Sequence, residues 1–387
     1  MIFTFNPKSE ILFGDNSSEQ AGARVKALGC SRVLCVYDKG VKDAGIVDPV
    51  VKSLEAAGLK VLHYGKVLAD PPDTMVDECG DVARKEGVDG IVGVGGGSTL
   101  DTAKAVNVLL ANPGPIVDYY LRPGAPPHRP GRPLILIPTT AGTGSEVTQV
   151  SVITNTATGA KGGVKGPATI PTLAIVDPGL TMGLPPSITA ATGMDTFAHA
   201  LEAFTSGINN NMMSDLLADR AIELVARNLP QAVRQGSNTE ARTAMSFASV
   251  LAGLSFSDAP CHLGHAFGHA LGAIHHVPHG VGCAIAQPAV IRLAAGLMPA
   301  KIRRVGELMG LKAAESLSTE ELGTQVAERI MAFNREIGIP SLKDLQVKES
   351  DLLPLSRATA KDVCFNFLPV ALSEADLLKI VQREYAA

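Results

Sequence analysis

Through the first half of the chain, short β-branched runs alternate with stretches whose apolar positions recur at helical spacing. Residues 32–37, 59–63, 90–94 and 133–137 are apolar runs of strand length with little polar interruption, as strands covered on both faces require. Residues 50–57 and 73–87 carry the helical period between them. Strands and helices taken in turn predict a parallel α/β sheet. After Asp177-Pro178 the strand signal fades, and residues 214–256, 299–310, 319–337 and 373–384 predict amphipathic helices. The change falls at Met182-Gly-Leu-Pro-Pro186, with Ser187 as the expected N-cap of the first helix beyond it. The expected organisation is an α/β domain over residues 1–184 and an all-helical domain over 185–387.

Two of the strands run directly into loops of small residues. The first loop, Gly95-Gly96-Gly97-Ser98, opens a helix expected to start at Ser98, with Asp101 three residues on as capping partner and a further candidate for cofactor binding. Glycines admit a pyrophosphate close to the backbone, and a helix N-terminus offers N–H groups and the positive end of a dipole. The second loop is Pro138-Thr139-Thr140-Ala141-Gly142-Thr143-Gly144-Ser145-Glu146. The usual dinucleotide fingerprint is not met, because its last glycine is missing and no acidic residue ends a strand about twenty residues later. Asp38 instead ends an earlier strand. A dinucleotide would then bind in a variant Rossmann-like arrangement: ribose at Asp38, pyrophosphate on 95–98, nicotinamide toward Thr139, Thr140 and Thr143. A carboxylate at the ribose favours NAD over NADP. The plainer alternative is a tight strand-to-helix turn, with Asp38 an ordinary turn residue.

The densest chemistry lies at 261–279, which holds six of the nine histidines: His262, His265, His269, His275, His276 and His279. His262, His265 and His269 fall on one face of a helix that Gly272 would end, and Val277-Pro278-His279-Gly280 reads as a turn returning another imidazole to that face. Upstream, Asp195 and His199 are spaced i, i+4 in an otherwise apolar helix. Neutral imidazole is the commonest nitrogen ligand of divalent transition metals, so Asp and His on one turn plus two further histidines make a four-ligand set. Any one of these histidines alone reads more readily as a buried or capping residue; the joint pattern reverses that.

At 387 residues the chain is long enough for two or three domains, and a formal net charge of -4 gives no electrostatic case for nucleic acid or an anionic membrane. The six cysteines form no CxxC pair, which suits a reducing compartment; Cys261 and Cys283 read as small buried hydrophobes. No apolar run approaches 18 residues and no targeting pattern opens the chain, so a cytoplasmic protein acting on a small molecule is expected.

Asp38, the GGGS loop, the 138–146 loop, Thr189-Ala-Ala-Thr-Gly-Met-Asp195 with His199, and His265-x3-His269 followed by Pro278-His279-Gly280 together resemble the iron-dependent (group III) alcohol dehydrogenases. The resemblance implies an N-terminal dinucleotide-binding domain, a helical C-terminal domain, and nicotinamide and metal in a cleft between them. It implies metal ligands Asp195, His199, His265 and His279, with Fe(II) usual and Zn(II) the alternative. It casts His269 as proton relay, and Gly95, Gly96, Gly97, Ser98, Thr139, Thr140, Thr143 and Lys161 as contacts to NAD(H). Two regions depart from the family pattern: His275-His276, with His262 upstream, and Leu368-Pro369-Val370 near the C-terminus. His262, His275 and His276 are therefore candidates to face a substrate bearing an anionic group, or else plain hydrogen-bonding residues. The implied activity is hydride transfer between NAD(H) and a small primary alcohol or aldehyde, in a homodimer or larger homo-oligomer. Competing readings are a reductase like the related maleylacetate reductases, a lyase like the dehydroquinate synthases, and a nucleotide- or metal-binding regulator without turnover.

Overall fold

The computed structural model describes residues 2–386 and divides into two compact units. One comprises 6–140 and 144–183; the other runs from Leu184 onward and includes 141–143 and the residues up to Phe5.

The first unit is a parallel sheet with helices on it. Its strands are β1 (Glu10–Phe13), β2 (Arg32–Asp38), β3 (Lys60–Val67), β4 (Gly90–Gly95), β5 (Leu134–Pro138), β6 (Val150–Thr154), β7 (Lys161–Lys165) and β8 (Leu173–Val176). Six of them form one sheet in the order β1-β8-β5-β4-β2-β3, every pairing parallel, while β6 and β7 make an antiparallel pair of their own. Every residue of β4 and β5 is buried, which is why their sequence shows apolar runs and no alternation. The crossover helices are α1 (Ala21–Ala27), α2 (Lys39–Asp43), α3 (Val47–Ala56), α4 (Asp73–Glu86) and α5 (Gly97–Ala111). Strands β1 and β8, four residues each, and the β6–β7 pair are absent from the sequence expectation. The first two are too short to show a period, and β7 (Lys-Gly-Gly-Val-Lys) has no β-forming run.

The second unit is helical: α6 (Pro186–Thr205), α7 (Met212–Arg234), α8 (Thr239–Phe256), α9 (Leu263–His275), α10 (His279–Ala295), α11 (Pro299–Leu308), α12 (Thr319–Glu336), α13 (Leu352–Lys361) and α14 (Glu374–Ala386). Four boundary expectations need correction. The 214–256 stretch is two helices, broken where Asn238 caps α8 by accepting from the Ala241 N–H. Ser187 is not the N-cap of α6, which starts at Pro186 because proline's fixed φ suits a first helical position. Helix α9 does not end at Gly272; it continues to His275 and stops at His276, in the left-handed region at φ 55°. His279 does not sit in a turn but is the first residue of α10.

Asp101 needs a further correction. Helix α5 starts at Gly97 behind Gly96 with no side-chain cap, and the Asp101 carboxylate turns away, accepting from Ser145 Oγ (2.7 Å) and the Val152 N–H (2.9 Å). One turn on, Lys104 is fully buried and donates to Ser145 Oγ (2.8 Å), Thr148 Oγ1 (3.0 Å) and the Val150 carbonyl (2.8 Å). Burial pulls its pKa down to about 8, against the pull of Asp101 and Glu146. This network fixes the second half of the 138–146 loop to α5. Replacing Lys104 by Met leaves three acceptors without their donor, at a cost of about 1–3 kcal/mol for each that stays buried and unsatisfied. Lys104→Met is thus expected to lower the urea midpoint markedly at an unchanged m-value; an unaltered midpoint would show that the network carries no stability.

Candidate metal and cofactor site

Helix α6 carries Asp195, His199 and Glu202 at i, i+4 and i+7, α9 carries His265 and His269 at i, i+4, and α10 carries His279, Cys283 and Gln287 at four-residue intervals. Each helix therefore presents one polar stripe in an apolar surround. The stripes meet because the helices approach closely. A Cβ on Gly280 would stand 2.0 Å from the Ala191 carbonyl oxygen on α6, and one on Gly264 would stand 2.3 Å from Gln287 Nε2 and 2.4 Å from Glu202 Oε1. Only glycine fits at either contact.

Where the stripes meet, Asp195 Oδ1 lies 3.4 Å from His279 Nε2 and 3.8 Å from His265 Nε2. Ligands about 2.1 Å from a tetrahedral cation stand about 3.4 Å apart. Asp195 Oδ1 and His265 Nε2 are both buried without a hydrogen-bond partner, a state that costs free energy unless something completes them. The donor set fits a divalent transition metal. The four histidine and aspartate candidates do not form a single tight group, however. Asp195, His265 and His279 cluster with Cys283, whereas His199 clusters with His265 and Cys261. His199 Nδ1 lies 3.9 Å from Asp195 Oδ1 and donates to the Gly142 carbonyl at 3.3 Å, leaving Nε2 as its lone-pair nitrogen. Its ring stacks on Phe256 at 4.2 Å, and burial pushes its pKa down to about 4.

Glu202, which sequence reasoning passed over, organises the layer beneath. It is fully buried and accepts from the backbone N–H groups of His262 (2.6 Å) and His265 (3.2 Å), from His265 Nδ1 (2.8 Å) and from Gln287 Nε2 (3.1 Å). A carboxylate only accepts, so Nδ1 of His265 must carry the proton and Nε2 faces Asp195 as a lone pair. Burial alone would raise the Glu202 pKa, but His265 and the converging donors hold it well below the usual carboxylate range. Burial likewise works against charge on His265, and Glu202 outweighs it, so the imidazole pKa rises.

His269 stands one turn beyond His265, its ring stacked on His279 at 5.1 Å. Its Nδ1 donates to Asp362 Oδ2 at 2.9 Å, a partner 93 positions away that no local sequence signal marks. His262 requires correction as a substrate-facing candidate. It is fully buried at the N-cap of α9 with Nε2 on the Thr205 hydroxyl (3.0 Å), so no solute reaches it. His275 is half-buried with Nε2 3.7 Å from Asp351 Oδ2, and His276 is exposed.

On the α/β unit, Asp38 ends β2 and caps α2 by accepting from the Val41 N–H at 3.0 Å, its other oxygen 3.4 Å from Thr99 Oγ1. Gly95 closes β4, Gly96 is extended, and Gly97 and Ser98 open α5. Thr139 is buried with its N–H on the Gly95 carbonyl (3.0 Å), and a Cβ on Gly96 would lie 3.4 Å from Thr140. Lys161 pairs with Asp70 at 2.8 Å. Thr143 belongs with 141–143 to the helical unit.

Residues 7–178 match the family model for iron-containing alcohol dehydrogenases, and residues 189–385 match the model for the C-terminal region of the same family. The chain belongs to the iron-containing alcohol dehydrogenase family. It is 40% identical over 355 residues to the 1,3-propanediol dehydrogenase of Citrobacter freundii, covering 90% of each chain. It is 34% identical over 379 residues to the NAD-dependent methanol dehydrogenase of Bacillus methanolicus, covering 98% of each. Its fold is similar to that of the sulfoacetaldehyde reductase from Bifidobacterium kashiwanohense solved in complex with NAD+, at a TM-score of 0.89 and 30% identity, covering 100% of this chain and 99% of that one. As a family member it is an NAD(H)-dependent, iron-containing oxidoreductase of alcohols and aldehydes. No helix among the described residues is long and apolar enough to cross a membrane.

Glu202→Gln sets an amide NH2 against two backbone N–H donors and loosens His265. Metal affinity is expected to fall about 10–100-fold by chelator competition; unchanged affinity would remove Glu202 from the centre. Because the folded pKa is depressed, the stability Glu202 contributes is full at neutral pH and fades as acid passes below about 4.3. The gap in stability between wild type and variant should therefore narrow there.

Proposed function

We propose that Asp195, His199, His265 and His279 hold the cation, Fe(II) with Zn(II) as the alternative, and that the substrate is a small primary alcohol or its aldehyde. The observation that carries this reading is the pair of buried, partnerless atoms, Asp195 Oδ1 and His265 Nε2, converging with His279 Nε2. A divalent cation supplies Lewis acidity there, easing loss of a hydroxyl proton and polarising a carbonyl toward hydride. Asp195 contributes the anionic ligand, and Glu202 and the Gly142 carbonyl fix the tautomers of His265 and His199. With Nδ1 committed to Asp362, His269 presents Nε2 to take or return the hydroxyl proton.

The cofactor binds through the α/β unit. Gly95, Gly96, Gly97 and Ser98 receive the pyrophosphate on the uncapped start of α5. Asp38 accepts from the ribose hydroxyls and repels a 2′-phosphate, so NAD(H) is preferred; Thr139, Thr140 and Lys161 complete the set on this unit, and Asp101 supports it through Ser145. The enzyme works in the cytoplasm, which the absence of any CxxC pair among its six cysteines suits, as a homodimer or larger homo-oligomer. The similarity to a sulfoacetaldehyde reductase and the exposed imidazole of His276 support an anionic group on the substrate.

The test is NADH oxidation by protein reloaded anaerobically with Fe(II), against short neutral and anionic aldehydes. Turnover is expected, abolished in Asp195→Ala, with His276→Ala raising KM for anionic aldehydes alone. Turnover that survives Asp195→Ala would defeat the metal assignment, and equal KM effects on both aldehyde classes would defeat the anionic one.

A further inference from the structure

Cys283 lies one turn beyond His279 on the same face of α10, with Sγ 3.7 Å from His279 Nε2. Its thiol is fully buried, and Sγ falls with a ligand atom of each of Asp195, His265 and His279 in a group whose members all lie within 4.8 Å of one another. The approach is made possible by Gly268 on α9, where a Cβ would stand 2.8 Å from that sulfur. Sulfur at about 2.3 Å and nitrogen at about 2.05 Å from one tetrahedral cation lie about 3.6 Å apart. Two members of the group, Asp195 Oδ1 and His265 Nε2, are buried and partnerless, so the thiol borders a position that independent evidence marks for a cation.

We infer that Cys283 is a third kind of donor to this centre, a thiolate beside carboxylate and imidazole. The inference rests on Asp195, His265 and His279 being a metal centre. As the sulfur–metal bond forms, the S–H bond breaks and its proton passes to solvent. A soft donor in the set shifts selectivity toward Zn(II) and other thiophilic ions relative to a site of oxygen and nitrogen alone. The centre then accepts Fe(II) but holds Zn(II) more tightly than its histidines and aspartate account for. His199 and Cys283 fall in different groups around His265, so the thiolate would join the four proposed ligands rather than duplicate one of them.

Anaerobic titration of the full chain with Co(II) tests this, because d–d bands report binding and a thiolate-to-cobalt charge-transfer band reports sulfur in the coordination sphere. Wild type is expected to show both. Cys283→Ala and Cys283→Ser are expected to keep the d–d bands, lose the charge-transfer band and bind Zn(II) about tenfold or more weakly by chelator competition. Cys261→Ala and Cys364→Ala should retain the band. A wild-type spectrum without charge transfer, or a band that survives Cys283→Ala, overturns the inference and leaves the metal centre standing. Absence of Co(II) binding, or binding indifferent to Asp195→Ala, overturns the centre and the inference with it.

Discussion

The helical unit depends on one buried carboxylate. Glu202 has no solvent, yet receives four hydrogen bonds, two from the backbone at the start of α9, one from His265 and one from Gln287 on α10. It thereby joins α6, α9 and α10, and in doing so orients a nitrogen of His265 toward Asp195. A charge that fully desolvated would be prohibitive without its partners. Fully partnered, it gives the polar layer one arrangement. The alanine- and glycine-rich faces around it follow from the same requirement, because larger residues at Gly264 or Gly280 would hold the helices too far apart for the stripes to meet.

The two units solve different problems with similar means. In the α/β unit, buried parallel strands deliver their C-terminal ends at Asp38, Gly95 and Pro138, where loops rather than strands carry the polar groups. Lys104 and Asp101 then tie the second loop to α5 from within. In the helical unit the polar groups sit on the helices themselves, where backbone geometry fixes their spacing. A cofactor's phosphates need backbone N–H groups that a loop exposes, whereas a cation needs side chains held to within a few tenths of an ångström.

Much of this was legible along the chain. The buried strands β2, β4 and β5 announce themselves as apolar runs, and the crowding of histidines at 261–279 is a signal that packing alone does not produce. Asp195 and His199 show as two polar residues one turn apart in an apolar helix. What stayed hidden is set by distance in the fold rather than in the chain. Glu202 sits one turn past His199, and its importance lies in partners 60 to 85 positions away; Asp362 reaches His269 across 93. Cys283 reads as a small hydrophobe because burial and ligation ask for the same residue, and only the neighbourhood distinguishes them. His262 shows the converse: its i, i+3 spacing to His265 suggests a shared face, but it precedes the helix and points at Thr205 instead.

The most direct measurement is an anomalous difference map at the iron edge from crystals of the Fe(II)-loaded protein. A single strong peak within about 2.0–2.4 Å of Asp195 Oδ1, His265 Nε2 and an imidazole nitrogen of His279 is the predicted result. A peak elsewhere, or His265 bound to iron through Nδ1 with its link to Glu202 broken, would contradict the account.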